Sequence, residues 1–223
     1  MKENILIKIL IALIIILSVA GIAKKVLAPT KNNIASVQQD TTNTSQPETT
    51  TPDTAAIPTT KSELSEPVND FKSRITKKPF GIYITPQNSP VSPERFTGYH
   101  TGADAEYQDV TTDVPVYAVS DGKIVLSETA SGYGGVFMVE IDLNGAKHTV
   151  LYGHIRPSSL PKIGREVTKG ESIALLGTGY SGETDGERRH LHFAILSSNS
   201  HNIKGYVANK NDLSGWIDPL KYF

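Results

Sequence analysis

Three patterns of hydrophobic and polar positions succeed one another along the 223 residues. The first is an apolar stretch, Ile9 to Ala23, bounded by Lys8 and by Lys24-Lys25. Its length suits the core of an export signal better than a spanning helix, which needs about 20 residues, although Lys8 can snorkel and extend the stretch back to Ile5. Ser18-Val19-Ala20 and Gly21-Ile22-Ala23 carry the small residues of a cleavage site, but the two lysines that follow oppose cleavage. Residues 1–28 therefore read as a signal-anchor, or as a signal peptide if cut. From Pro29 to about residue 70 the chain turns to Thr, Ser, Gln, Asn and Pro without one aromatic residue. Such a segment cannot offset its ordering entropy by burial, so residues 29–70 read as a disordered linker.

Aromatic residues begin at Phe71 and recur to Phe223, which marks 71–223 as one folded domain. Its local pattern is β. Gly81-Ile82-Tyr83-Ile84 alternates, and Val114 to Val119 leads through Asp121-Gly122 into Lys123-Ile124-Val125-Leu126. Val136 to Leu143 runs into Asn144-Gly145, a strong hairpin signal, with His148 to Tyr152 as the returning strand. No amphipathic helical window interrupts the stretch from Phe80 to Phe223, so an all-β, mainly antiparallel domain is expected.

Composition narrows the chemistry. A hydrophobic share of 38% is low for a wholly globular chain and agrees with a part of it lying outside any core. With 22 basic and 23 acidic residues the net charge of −1 gives no long-range attraction to nucleic acid. The absence of cysteine removes disulfide frameworks, thiol nucleophiles and thiolate metal sites, so any metal must be held by His, Asp or Glu.

Three short motifs offer such groups. In His190-Leu191-His192-Phe193-Ala194-Ile195 the strand period of two puts both histidines on one face and Leu191, Phe193 and Ile195 on the other. In His100-Thr101-Gly102-Ala103-Asp104 an extended chain would return His100 and Asp104 to one face, with Gly102 leaving room between them. These two residues and one histidine of the pair would make the count of three protein ligands that a catalytic zinc site uses; the alternative is a surface His and Asp forming a solvated pair. Tyr152-Gly153-His154, at a strand end before a proline-containing loop, presents an imidazole suited to proton transfer near neutral pH. His148 and His201 have no partner pattern and read as structural.

In this order the motifs resemble the lysostaphin-type or LytM-type zinc metallopeptidases of peptidoglycan, the M23 family. The resemblance runs from Phe80-Gly81 through His100-x-x-x-Asp104, Gly132-Tyr133-Gly134, Tyr152-Gly153-His154, Val167-x-Lys169-Gly170 and His190-Leu191-His192 to Asp218-Pro219. It implies that His100, Asp104 and His192 bind zinc and that His154 and His190 are the catalytic histidines. It further implies a monomeric endopeptidase that cuts peptide cross-links of peptidoglycan and works outside the cytoplasm, tethered to the membrane by the N-terminal segment or secreted after cleavage. A catalytically inactive relative that binds cell wall or activates another hydrolase is the alternative. The chain departs from the common pattern at Tyr83, where an arginine is usual, at Ala194, where an acidic residue is frequent, and in the long charged segment Tyr180 to Arg189, expected as a wall of the groove.

Overall fold

The Asn144-Gly145 dipeptide turns the chain in two residues, both at positive φ (54° and 79°), the geometry that matches the right-handed twist of the flanking strands. The strands it joins, β6 (Gly134–Leu143) and β7 (Ala146–Ile155), are the longest in the fold. The structure, a computed structural model, describes residues 64–223. The expected N-terminal signal-anchor and the linker up to residue 63 lie outside the described residues.

Before the hairpin come β1 (Tyr83–Ile84), β2 (Gly98–His100), β3 (Ala103–Glu106), β4 (Pro115–Tyr117) and β5 (Gly122–Ala130). After it come β8 (Glu166–Val167), β9 (Ser172–Leu175), β10 (His190–Leu196), β11 (Tyr206–Val207) and β12 (Trp216–Ile217). Every pairing is antiparallel. The main sheet runs β12-β10-β7-β6-β5-β8, with β3 sharing the β12 edge of β10. A three-stranded sheet, β1-β2-β11, and the pair β4-β9 complete the domain. Helical turns among the described residues are short 3-10 segments. The all-β, mainly antiparallel expectation holds.

Strand β10 organises the core because all seven of its residues are buried. Leu191, Phe193 and Ile195 enter one apolar cluster, and Ala194 and Leu196 enter a second on the opposite face with Val136, Met138, Leu151 and Trp216. The histidine face is therefore polar only in its first half. Phe193 meets Phe71 and Tyr152 edge-on, with ring centroids 5.4 and 5.2 Å apart, and Phe223 lies 6.0 Å away. Both ends of the domain thus close on one side chain.

That packing corrects one boundary. Leu64 and Val68, within the segment read as linker, are buried in the same cluster as Phe71, and Tyr117 N donates to Pro67 O at 2.8 Å. Two apolar residues in a polar stretch gave too little pattern to show this.

Phe71→Ala should cost about 3–5 kcal/mol in urea denaturation, the usual loss for emptying a buried phenylalanine site. A cost below about 1 kcal/mol would detach this segment from the core.

Candidate metal centre and active site

His100 and Asp104 do not share a strand, contrary to the extended reading of their spacing. The chain leaves β2 of the small sheet at His100, turns through Thr101-Gly102 and enters β3 of the main sheet, where Asp104 pairs with His192. Gly102 permits the crossing. A Cβ there would stand 2.5 Å from Phe193 O and 2.9 Å from His192 Cε1. The crowding foreseen from the sequence is therefore real, and it comes from backbone and imidazole together.

Convergence is tight. His100 Nε2 lies 3.1 Å from Asp104 Oδ1, His192 Nδ1 lies 3.0 Å from the same oxygen, and the two nitrogens are 3.0 Å apart. All three residues are buried. His100 Nδ1 faces Pro79 O at 3.2 Å, an atom that only accepts, so the ring proton sits on Nδ1 and the Nε2 lone pair points at the carboxylate. A lone pair against a carboxylate oxygen needs a positive centre between them. These N and O donors suit Zn²⁺, and their spacing approaches the roughly 3.3 Å edge of a tetrahedral site with bonds of about 2.0–2.1 Å.

The other carboxylate oxygen is held by a residue that the sequence reading did not single out. Arg188 Nη2 donates to Asp104 Oδ2 at 2.7 Å and to Glu106 Oε1 at 2.8 Å, and Arg188 Nε donates to both Glu106 oxygens. Its only sequence signal was the charged run before His190. Burial pushes the Asp104 pKa up, but the imidazoles around it reverse this and hold it well below the carboxylate range. Burial alone would lower the Arg188 pKa, and its two carboxylate partners raise it instead.

His190 and His154 stand beside this triad with ring centroids 4.1 Å apart. His190 Nδ1 donates to Arg188 O at 2.9 Å, so its Nε2 is the acceptor, 3.4 Å from Asp104 Oδ2. His154 reaches the site through a bulge. Gly153 pairs with Val136 and Ile155 with Gly135, which leaves His154 as the unpaired residue at φ 63°, turned toward the histidines of β10. Burial lowers its pKa to about 3 and drives that of His190 well below the usual range. Both imidazoles are neutral at pH 7. His148 and His201 lie elsewhere, the first against Leu196 O and the second exposed.

These groups open into a cavity of about 290 Å³, whose further walls include Phe96, Tyr133, Lys204 and Tyr206. Tyr206 lies 5.1 Å from the His100 ring and 5.4 Å from Phe96, and its hydroxyl accepts from the buried Lys78 ammonium at 3.0 Å. Lys78 in turn pairs with the buried Glu94 carboxylate. Burial raises the Glu94 pKa, but hydrogen bonds from Lys78, Phe96 N and Ser89 more than offset this and lower it.

With the geometry in place, residues 98–204 match peptidase family M23. They form an M23 domain. The chain is similar to Csd3 from Helicobacter pylori, 27% identical over 72% of this chain and 33% of that one, with a TM-score of 0.43. It is similar to LytU, 28% identical over 66% and 81% of the two chains, with a TM-score of 0.43. It is also similar to a chain of the SpoIIQ–SpoIIIAH pore-forming complex, 19% identical over 73% of this chain and 92% of that one, with a TM-score of 0.48. The chain spans about a third of the Csd3 chain it matches. No curated protein matches it.

Arg188→Met leaves Asp104 and Glu106 buried without their cation and should cost about 3–5 kcal/mol by chemical denaturation. The Glu94 pair makes a separate prediction in pH. Its folded pKa lies below the unfolded value, so its stabilisation is present above about pH 4.5 and is lost as pH falls through the lowered pKa. Urea midpoints compared at pH 7 and pH 4 should therefore differ less in Glu94→Gln than in the unaltered protein.

Proposed function

We propose that this M23 domain is a zinc-dependent endopeptidase that hydrolyses peptide cross-links of bacterial peptidoglycan. The reading rests on one observation: three buried candidate ligand atoms converge at 3.0–3.1 Å beside two neutral imidazoles, in a cavity open to substrate. His100, Asp104 and His192 would hold the zinc, which supplies a Lewis acid and brings the pKa of a water toward neutrality. His100 is oriented by Pro79 O and Asp104 by Arg188, the kind of outer partners that fix ligands in place. His190 presents Nε2 as a proton acceptor, since its Nδ1 proton is committed to Arg188 O. His154 and His190 divide between them the proton taken from the attacking water and the proton given to the leaving amine. Residues 1–28 would tether the domain outside the cytoplasm, with the following segment as spacer, and the enzyme would work as a monomer.

Purified protein should bind one equivalent of zinc and release soluble fragments from purified peptidoglycan. His192→Ala should lose both zinc and cleavage. His154→Ala should keep the zinc and lose cleavage by about 10²–10⁴-fold, the usual weight of a positioned acid or base. Zinc binding without cleavage in the unaltered protein would instead favour a non-catalytic, wall-binding role.

A further inference from the structure

Three segments distant in sequence meet at one wall of the cavity. Phe96 comes from the loop before β2, Gly132 from the turn between β5 and β6, and Asp185 to Glu187 from the charged loop before β10. The edge of Phe96 lies against Gly132, where an added Cβ would stand 3.5 Å from Phe96 Cζ. Beside that contact Arg95 Nε donates to Glu187 Oε1 at 2.7 Å, and Arg95 Nη2 donates to Asp185 O and Asp185 Oδ2 at 2.7 and 2.9 Å. Gly132 N donates to Asp185 Oδ2 at 2.7 Å, which ties the third segment in. Arg95 and Asp185 also line a second cavity of about 170 Å³, with Val91, Pro93 and Tyr180, and it shares Glu187 and Arg188 with the first.

The junction is strong in geometry and weak in energy. The Arg95 and Asp185 side chains remain 49% and 38% exposed, so their ion pair is weak and screened by salt, and Arg95 meets the less exposed Glu187 from the same solvent-facing position. The loop that carries Arg95 is anchored independently, because the neighbouring Glu94 is buried on Lys78 and accepts from Ser89 and Phe96 N. Arg95 can thus release its partners while the loop backbone stays where it is.

We propose that Arg95, Asp185 and Glu187 form a strap that sets substrate length. Resting on the peptidase reading above, the inference is that chains ending within a residue or two of the cleaved bond on this side fit the closed cavity. Chains that continue require Arg95 to let go and then run into the second cavity. The strap is a specificity determinant and takes no part in bond cleavage.

The test uses full-length protein and soluble cross-linked stem-peptide dimers, either intact or trimmed by one or two residues at each end. In Arg95→Ala the ratio of kcat/KM for intact over trimmed dimers should rise tenfold or more, with unchanged zinc content. Raising ionic strength should move the same ratio upward in the unaltered protein and leave it flat in the variant. Glu187→Gln, which loosens the strap from its other side, should shift the ratio in the same direction. An equal effect of Arg95→Ala on every substrate length overturns the strap and leaves the peptidase reading standing. Failure of every protein to cut any dimer overturns both.

Discussion

The site depends on keeping the Asp104 carboxylate ionised where water does not reach it. Stripping hydration from a carboxylate costs several kcal/mol even after relaxation, so its two oxygens must find charged or donating partners within the fold. One oxygen is met by Arg188, and the other faces the imidazole nitrogens of His100 and His192 at 3.1 and 3.0 Å, where the His100 lone pair leaves it short of a positive partner. Among the buried side chains here, Asp104 and Glu106 bring two negative charges and Arg188 one positive charge; Lys77, a third exposed, reaches Glu106 only at 4.0 Å. The buried cluster is one positive charge short. A divalent cation at the triad would more than offset that deficit and would answer the lone pair that faces the carboxylate, so the electrostatics and the ligand geometry are both compatible with a cation there.

The same strand that presents the ligands is the one the core grips hardest. Strand β10 has its neighbours β7 on one edge and β3 and β12 on the other, and apolar clusters press on both faces. Phe193 is clamped between aromatic rings from the beginning, middle and end of the domain. His192 therefore cannot shift along the strand without disturbing packing worth several kcal/mol. Asp104, paired directly across from it, inherits that rigidity. Preorganisation at the site is thus a consequence of sheet register and aromatic packing.

The parts of this arrangement that follow from local rules were readable in the sequence. Alternation placed His190 and His192 on one face, Asn144-Gly145 turned the long hairpin, and the lack of helical periodicity left an antiparallel β fold. The motif order pointed to the five residues that the fold brings together. What could not be read depends on contacts between distant segments. The spacing of His100 and Asp104 looked like one strand and is a crossing between two sheets. His154 sits on a bulge at positive φ, which breaks the alternation that pattern reading relies on. Arg188 was one charge within a segment expected as a wall of the groove, and only the approach of β3 to β10 buries it against Asp104. Leu64 and Val68 lacked neighbours of their own kind, and their burial is decided by the distant cluster they join.

Neutrality of the two working histidines follows from the same burial. Surrounded by the imidazoles of the triad and the Arg188 guanidinium, and cut off from water, neither His154 nor His190 gains enough from Asp104 to hold a proton at neutral pH. A base must begin unprotonated to accept a proton, so the environment that suppresses their charge also readies them for the first transfer. On the proposed peptidase reading, a proton on one ring would be disfavoured by desolvation and by the neighbouring ring 4.1 Å away, which would favour passing it on to a leaving amine. Arg188 therefore acts on the site in two ways: it stabilises the Asp104 anion through contact and disfavours a charge on His190 through its own, while its backbone carbonyl fixes the His190 Nδ1 proton and pulls weakly the other way.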